Sequence, residues 1–199
     1  MKNKRKKNNV ITIILDTIII LAIVATFSFG YKYSLEVYSA EYSTSQKLSE
    51  VDELIKNDIS REDMENTPNY GIYKLKVKNV TDWMPVIEGD NLEFLGAGIG
   101  HHSSTGHPGD SRQIFLSAHR DTHFKSLEYV DIGDVVIIQT SYGKFEYVVD
   151  KTKIVDYRDV SVIKTDKLAE DELVLMTCWP FNSYVDSEER YLIYAYPKK

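Results

Sequence analysis

The single cysteine, Cys178, is the residue in this chain best suited to nucleophilic chemistry. One thiol cannot build an intramolecular disulfide framework or a zinc site of several cysteine ligands. It can be a small buried apolar residue, or it can be used. Its setting is Leu173-Val174-Leu175-Met176-Thr177-Cys178-Trp179-Pro180-Phe181. An alternating apolar strand ends at Thr177-Cys178, and Pro180 stops it, so the thiol is expected at a rim. A thiol nucleophile needs a proton partner and a group that stabilises developing charge. All five histidines lie between His101 and His123. His119 closes the apolar run Gln113-Ile114-Phe115-Leu116-Ser117-Ala118 and precedes polar Arg120-Asp121-Thr122, which repeats the strand-end position of Cys178. Arg190 opens Arg190-Tyr191-Leu192-Ile193-Tyr194-Ala195, 12 residues after Cys178. In an antiparallel neighbour that start lies beside the end of the cysteine strand. Its guanidinium can stabilise an oxyanion there, or form a surface ion pair with Glu188 or Asp186.

The histidine cluster also has a metal reading. H-H-x4-H over His101, His102 and His107, and H-x3-H over His119 and His123, supply nitrogen ligands that Asp110 or Asp121 could complete. H-x3-H shares a face only on a helix, and His119 follows a strand. His107 and His123 also read as solvated loop residues. No metal or cofactor is expected.

These residues need strands to hold them. From Gly71 onward the pattern is short runs rich in Val, Ile and Tyr: 71–77, 82–87 with the turn Glu88-Gly89-Asp90, 114–118, 135–140, 145–150, 172–177 and 191–196. Ser141-Tyr142-Gly143-Lys144 turns one pair into a hairpin, and His123–Val130 reads as one or two helical turns. Strands at this spacing imply an all-β barrel or sandwich.

Charge divides the chain. Of 199 residues, 24 are Lys or Arg and 30 Asp or Glu, a net −6 that argues against a generic nucleic-acid binder. Lys2, Lys4, Arg5, Lys6 and Lys7 precede Val10–Phe29, in which 15 of 20 residues are apolar. As a helix this run is about 30 Å long, one hydrocarbon thickness. The basic cluster keeps the N-terminus cytoplasmic, so the remainder, with 19 basic and 29 acidic side chains, faces outward. Asp16 is the one charge inside the run and is given no function. The expected organisation is a basic tail over 1–9, a signal anchor over 10–30, a stem over 31–66 and a catalytic domain over 67–199. Leu48, Val51, Leu54, Ile55 and Ile59 place an amphipathic helix in the stem, and Thr67-Pro68-Asn69 marks the boundary.

Several motifs together resemble the sortases, membrane-anchored cysteine transpeptidases of Gram-positive bacteria. The motifs are Leu173–Cys178, Ala118-His119-Arg120-Asp121-Thr122, Arg190–Ala195, Gly98-Ile99-Gly100-His101 with Thr105 and Pro108-Gly109, and Met84–Gly89. The family commonly has Gly where this chain has Ala118. The Thr-Cys-Trp-Pro-Phe and Glu-Arg-Tyr context is most similar to class D, with class A as runner-up.

The resemblance implies an eight-stranded β-barrel with short helices, behind a transmembrane helix and a helical stem. It implies Cys178 as nucleophile, His119 as general acid/base and Arg190 as oxyanion stabiliser, with His101, Thr177 and Ala118 near the substrate. The implied partners are LPxTG-like sorting signals, an amine of a peptidoglycan precursor and the cell membrane, with no nucleic acid. A membrane-anchored cysteine protease and a tethered binding domain without activity are the alternatives.

Overall fold

The computed structural model describes residues 2–60, 62–63, 71–89, 95–183, 185 and 187–199. The Thr67-Pro68-Asn69 boundary, Asp90 and Asp186 lie outside them. One helix, α1, runs from Lys2 to Lys56. The expected anchor and the first part of the expected stem thus fall on one continuous helix, with no Pro to interrupt it. Over Leu15–Lys56 it is long and apolar enough to cross a membrane. The hydroxyls of Thr17 and Thr26 donate to the carbonyls of Ile13 and Ala22 at 2.9 and 2.8 Å, which satisfies them within the helix.

The chain forms two compact units, Met1–Glu41 and Tyr42–Lys199. The second is a closed barrel of eight strands: β1 Gly71–Val77, β2 Met84–Glu88, β3 Ile99–His101, β4 Gln113–Ser117, β5 Val135–Gln139, β6 Lys144–Asp156, β7 Glu172–Trp179 and β8 Glu189–Pro197. The order around the barrel is β1-β2-β3-β4-β7-β8-β6-β5, and β5 returns to β1. The eight-stranded barrel expected from the sequence motifs is thus the fold observed. Short 3-10 turns occupy Lys125–Tyr129 and Val160–Val162.

Alternation along the strands builds two apolar clusters. Inside the barrel lie Leu75, Ile114, Leu116, Leu173, Leu175, Ile193 and their neighbours, joined by Leu54 from the last turns of α1. Phe115, Val174, Leu192 and Tyr194 point outward from β4, β7 and β8. Val162 and Ile163, on the connection between β6 and β7, cover that outer face. The strand interior is therefore apolar on both faces, which is why β7 reads as a nearly continuous apolar run.

At the start of β7 the buried Glu172 ties this face together. It accepts from Gln113 on β4 at 2.9 Å, from Lys164 at 2.8 Å and from Tyr196 on β8 at 2.8 Å. Burial by itself would raise its pKa, but those three hydrogen bonds and the Lys164 charge hold it below the ordinary carboxylate value.

Candidate active site

The site is built by register. β4 and β7 run parallel, with Ser117 opposite Met176. The Ala118 amide donates to the Met176 carbonyl at 3.2 Å, and the Thr177 hydroxyl donates to the Ala118 carbonyl at 2.8 Å. These bonds carry the pairing past the end of β4, so His119 emerges level with Cys178. On the other side β7 and β8 are antiparallel, and Cys178 sits directly opposite Arg190. Cys178 and Arg190 are thus cross-strand partners, His119 follows two residues after the end of β4, and all three line one cleft of about 960 Å³.

Cys178 is half-buried and follows Val174 and Met176 along the outward face of β7. The rim expected for the thiol is the outer wall of the barrel, just beyond the second apolar cluster. β7 continues one residue further than the sequence pattern implies, through Trp179. The Trp179 ring stacks on Tyr191 at 5.5 Å and meets Phe181 edge-on at 5.6 Å. That aromatic packing fixes the strand end that carries the thiol.

Arg190 is held from three sides. Its Nη1 donates to the carbonyls of Ser187 at 2.8 Å and Glu189 at 3.0 Å, and its guanidinium carbon lies 5.6 Å from the centre of the Tyr157 ring. Among the described residues its partners are these two carbonyls and this ring, with no carboxylate pair. Tyr157 follows β6, and nothing in its sequence context sets it apart from thirteen other tyrosines.

Arg120 is a further residue the sequence motifs contain but assign no role. Its Nη2 donates to the Val185 carbonyl at 2.7 Å, across the cleft mouth. Among the described residues its Nη1 is buried without an acceptor, so it can donate to an oxygen of a bound molecule.

The remaining expected residues fall elsewhere. Thr177 and Ala118 are buried, and their mutual hydrogen bond aligns the strands. His101 is fully buried on β3 and bonds Glu88 and the Gly106 carbonyl; it is not among the residues lining the cleft. His107 is not a solvated loop residue: its ring stacks on His101 at 4.4 Å. Nor is His123, which is half-buried and lies 3.2 Å from the Thr44 hydroxyl of α1. Burial, and next the neighbouring His119, push the His123 pKa down, against a Leu95 backbone hydrogen bond that raises it.

Comparisons with known proteins agree with this architecture. Residues 74–198 match the sortase domain family. Over 121 residues, 61% of this chain, the sequence is 38% identical to Sortase D of Bacillus subtilis strain 168; the match spans 61% of that protein's length. A Sortase D5 transpeptidase of Clostridium perfringens superposes with a TM-score of 0.66 at 20% identity, covering 78% of this chain and all of that one. Sortase C2 of Group B Streptococcus pilus island 1 superposes with a TM-score of 0.58 at 25% identity, over 65% of this chain and 74% of that one.

Proposed function

Because this chain belongs to the sortase family, we propose that it is a cell-wall sorting transpeptidase whose chemistry is done by Cys178, His119 and Arg190. The observation that carries this reading is the convergence of those three side chains on one cleft, with Cys178 and Arg190 directly opposite each other in neighbouring strands.

Cys178 Sγ attacks the carbonyl carbon of the threonine in an LPxTG-like sorting signal. Arg190 donates to the oxygen on which negative charge develops. The carbon–nitrogen bond breaks, His119 gives its proton to the leaving amine, and a thioacyl-enzyme remains. An amine of a peptidoglycan precursor then attacks the thioester. His119 takes that amine's proton, a new amide forms and the thiolate leaves. Arg190 suits its part because Ser187, Glu189 and Tyr157 hold its guanidinium before substrate arrives. Residues 10–30 anchor the chain, residues 1–9 stay in the cytoplasm, the stem runs over 31–66, and the catalytic domain over 67–199 works outside the cell.

The test is to incubate the full chain in detergent micelles with LPxTG-type peptides, with and without an amine acceptor. A Cys178-linked acyl intermediate and an amide product are expected. Cleavage to the free acid alone, even with acceptor present, would instead mark a protease. No cleavage and no intermediate across a broad peptide set would remove the enzymatic reading.

A further inference from the structure

We propose that Glu88, His101 and His107 form a binding site for a divalent transition metal of the zinc type, away from the residues that line the Cys178 cleft. No step of the transpeptidation uses these side chains, so the proposal does not depend on that reading.

His101 is fully buried. β3 carries it between β2 and β4, so its position is fixed by backbone pairing on both sides. Its Nε2 lies 3.0 Å from the Gly106 carbonyl and 3.3 Å from the Thr105 hydroxyl. Its Nδ1 lies 2.8 Å from Glu88 Oε2, on the residue directly opposite in β2.

A third ligand-type side chain, His107, converges on this pair from the loop between β3 and β4. The candidate donor atoms of Glu88, His101 and His107 all lie within 4.8 Å of one another. Ligands at about 2.0–2.1 Å around a four-coordinate zinc stand roughly 3.3 Å apart, so a movement of about 1 to 1.5 Å completes the set. His107 can supply it, being half-buried on the loop between β3 and β4. That loop is otherwise braced: the His107 amide donates to Asp110 at 2.8 Å, and the amides of Gly109 and Ser111 donate to Asp171 at 2.7 and 2.8 Å.

The donor chemistry selects the ion. Two imidazoles and one carboxylate suit zinc, cobalt, nickel or copper rather than calcium or magnesium, with water as the remaining ligand. The Gly106 carbonyl does for His101 what a backbone carbonyl does for many metal-bound histidines. With the distal N–H donated to that carbonyl, Nδ1 is the ring nitrogen on the Glu88 side that would ligate. The Tyr73 ring meets both imidazoles edge-on at 6.4 and 6.2 Å and closes the site on the barrel side.

The test uses the full chain in detergent micelles, carrying Cys178→Ala so that the thiol cannot compete, and stripped with a chelator. Zn²⁺ is titrated by calorimetry, and Co²⁺ by its visible absorption. One Zn²⁺ per chain with micromolar or tighter affinity is expected, together with the intense bands of tetrahedral Co²⁺. His107→Ala and Glu88→Gln should each weaken binding at least tenfold, while His102→Ala should not. His107 and Glu88 are the variants of choice because the buried His101 can be required for folding. The proposal is overturned if Zn²⁺ fails to bind, if both variants bind it as tightly as the parent, or if Ca²⁺ binds equally well.

Discussion

Arg190 is placed to act as a planar, forked donor rather than as a mere positive charge. Two carbonyls engage its Nη1, and Tyr157 lies against its guanidinium, so its remaining N–H groups keep fixed directions. Lysine cannot reproduce that geometry. Arg190→Lys is therefore expected to lose about 10²-fold or more in kcat/KM, close to Arg190→Ala. Steady-state turnover of an LPxTG-type peptide measures both. Cys178→Ala should leave no thioacyl species by mass spectrometry, and His119→Gln should abolish transfer while leaving the fold intact by circular dichroism. Thr177 works at one remove. Thr177→Val keeps its shape but loses the bond to the Ala118 carbonyl. A stability loss of about 1 kcal/mol in urea is expected, with a fall in kcat because His119 is no longer held level with Cys178.

At the scale of elements, Glu172 gives a prediction about acid. Its pKa in the folded protein is lowered, so its contribution is present above the unfolded carboxylate value and is lost as pH falls through the folded value. The urea midpoint of the parent should therefore drop below about pH 4.5. Glu172→Gln should be less stable at pH 7 and lose less on acidification; equal acid slopes for the two proteins would remove Glu172 as the cause. The elements themselves were unevenly legible. β5, β7 and β8 announce themselves because each keeps apolar residues on both faces, and Ser141-Tyr142-Gly143 punctuates the hairpin. β3 does not: three residues, Ile99-Gly100-His101, are too short for a period, and only the family motif draws attention to them. The strand-end positions of His119, Cys178 and Arg190 could be read from apolar runs that stop. Their alignment could not, because it depends on β4 and β7 being parallel neighbours, a pairing between segments 59 residues apart. The histidine spacing likewise contained His101 and His107, but their third partner, Glu88, comes from another strand and not from Asp110 or Asp121.

At the scale of the molecule, the end of α1 belongs to the compact unit that holds the barrel. Val51 is fully buried, and Leu54 joins the barrel's own apolar cluster. Leu54→Ala should cost about 2–4 kcal/mol, read from the urea midpoint of the full chain in micelles. A change no larger than that of an exposed position such as Glu53→Ala would show that the helix end contributes nothing to the core. The closure of the sheet has a separate consequence for life at a membrane surface. Anchored chains share two dimensions and meet far more often than free ones. A sheet with an open edge would offer every neighbour a row of unpaired amides and carbonyls, and encounters would turn into fibrous association. Here β5 returns to β1, and among the described strands none is left at an edge. The protein can therefore be crowded at high local density without its sheets pairing between copies.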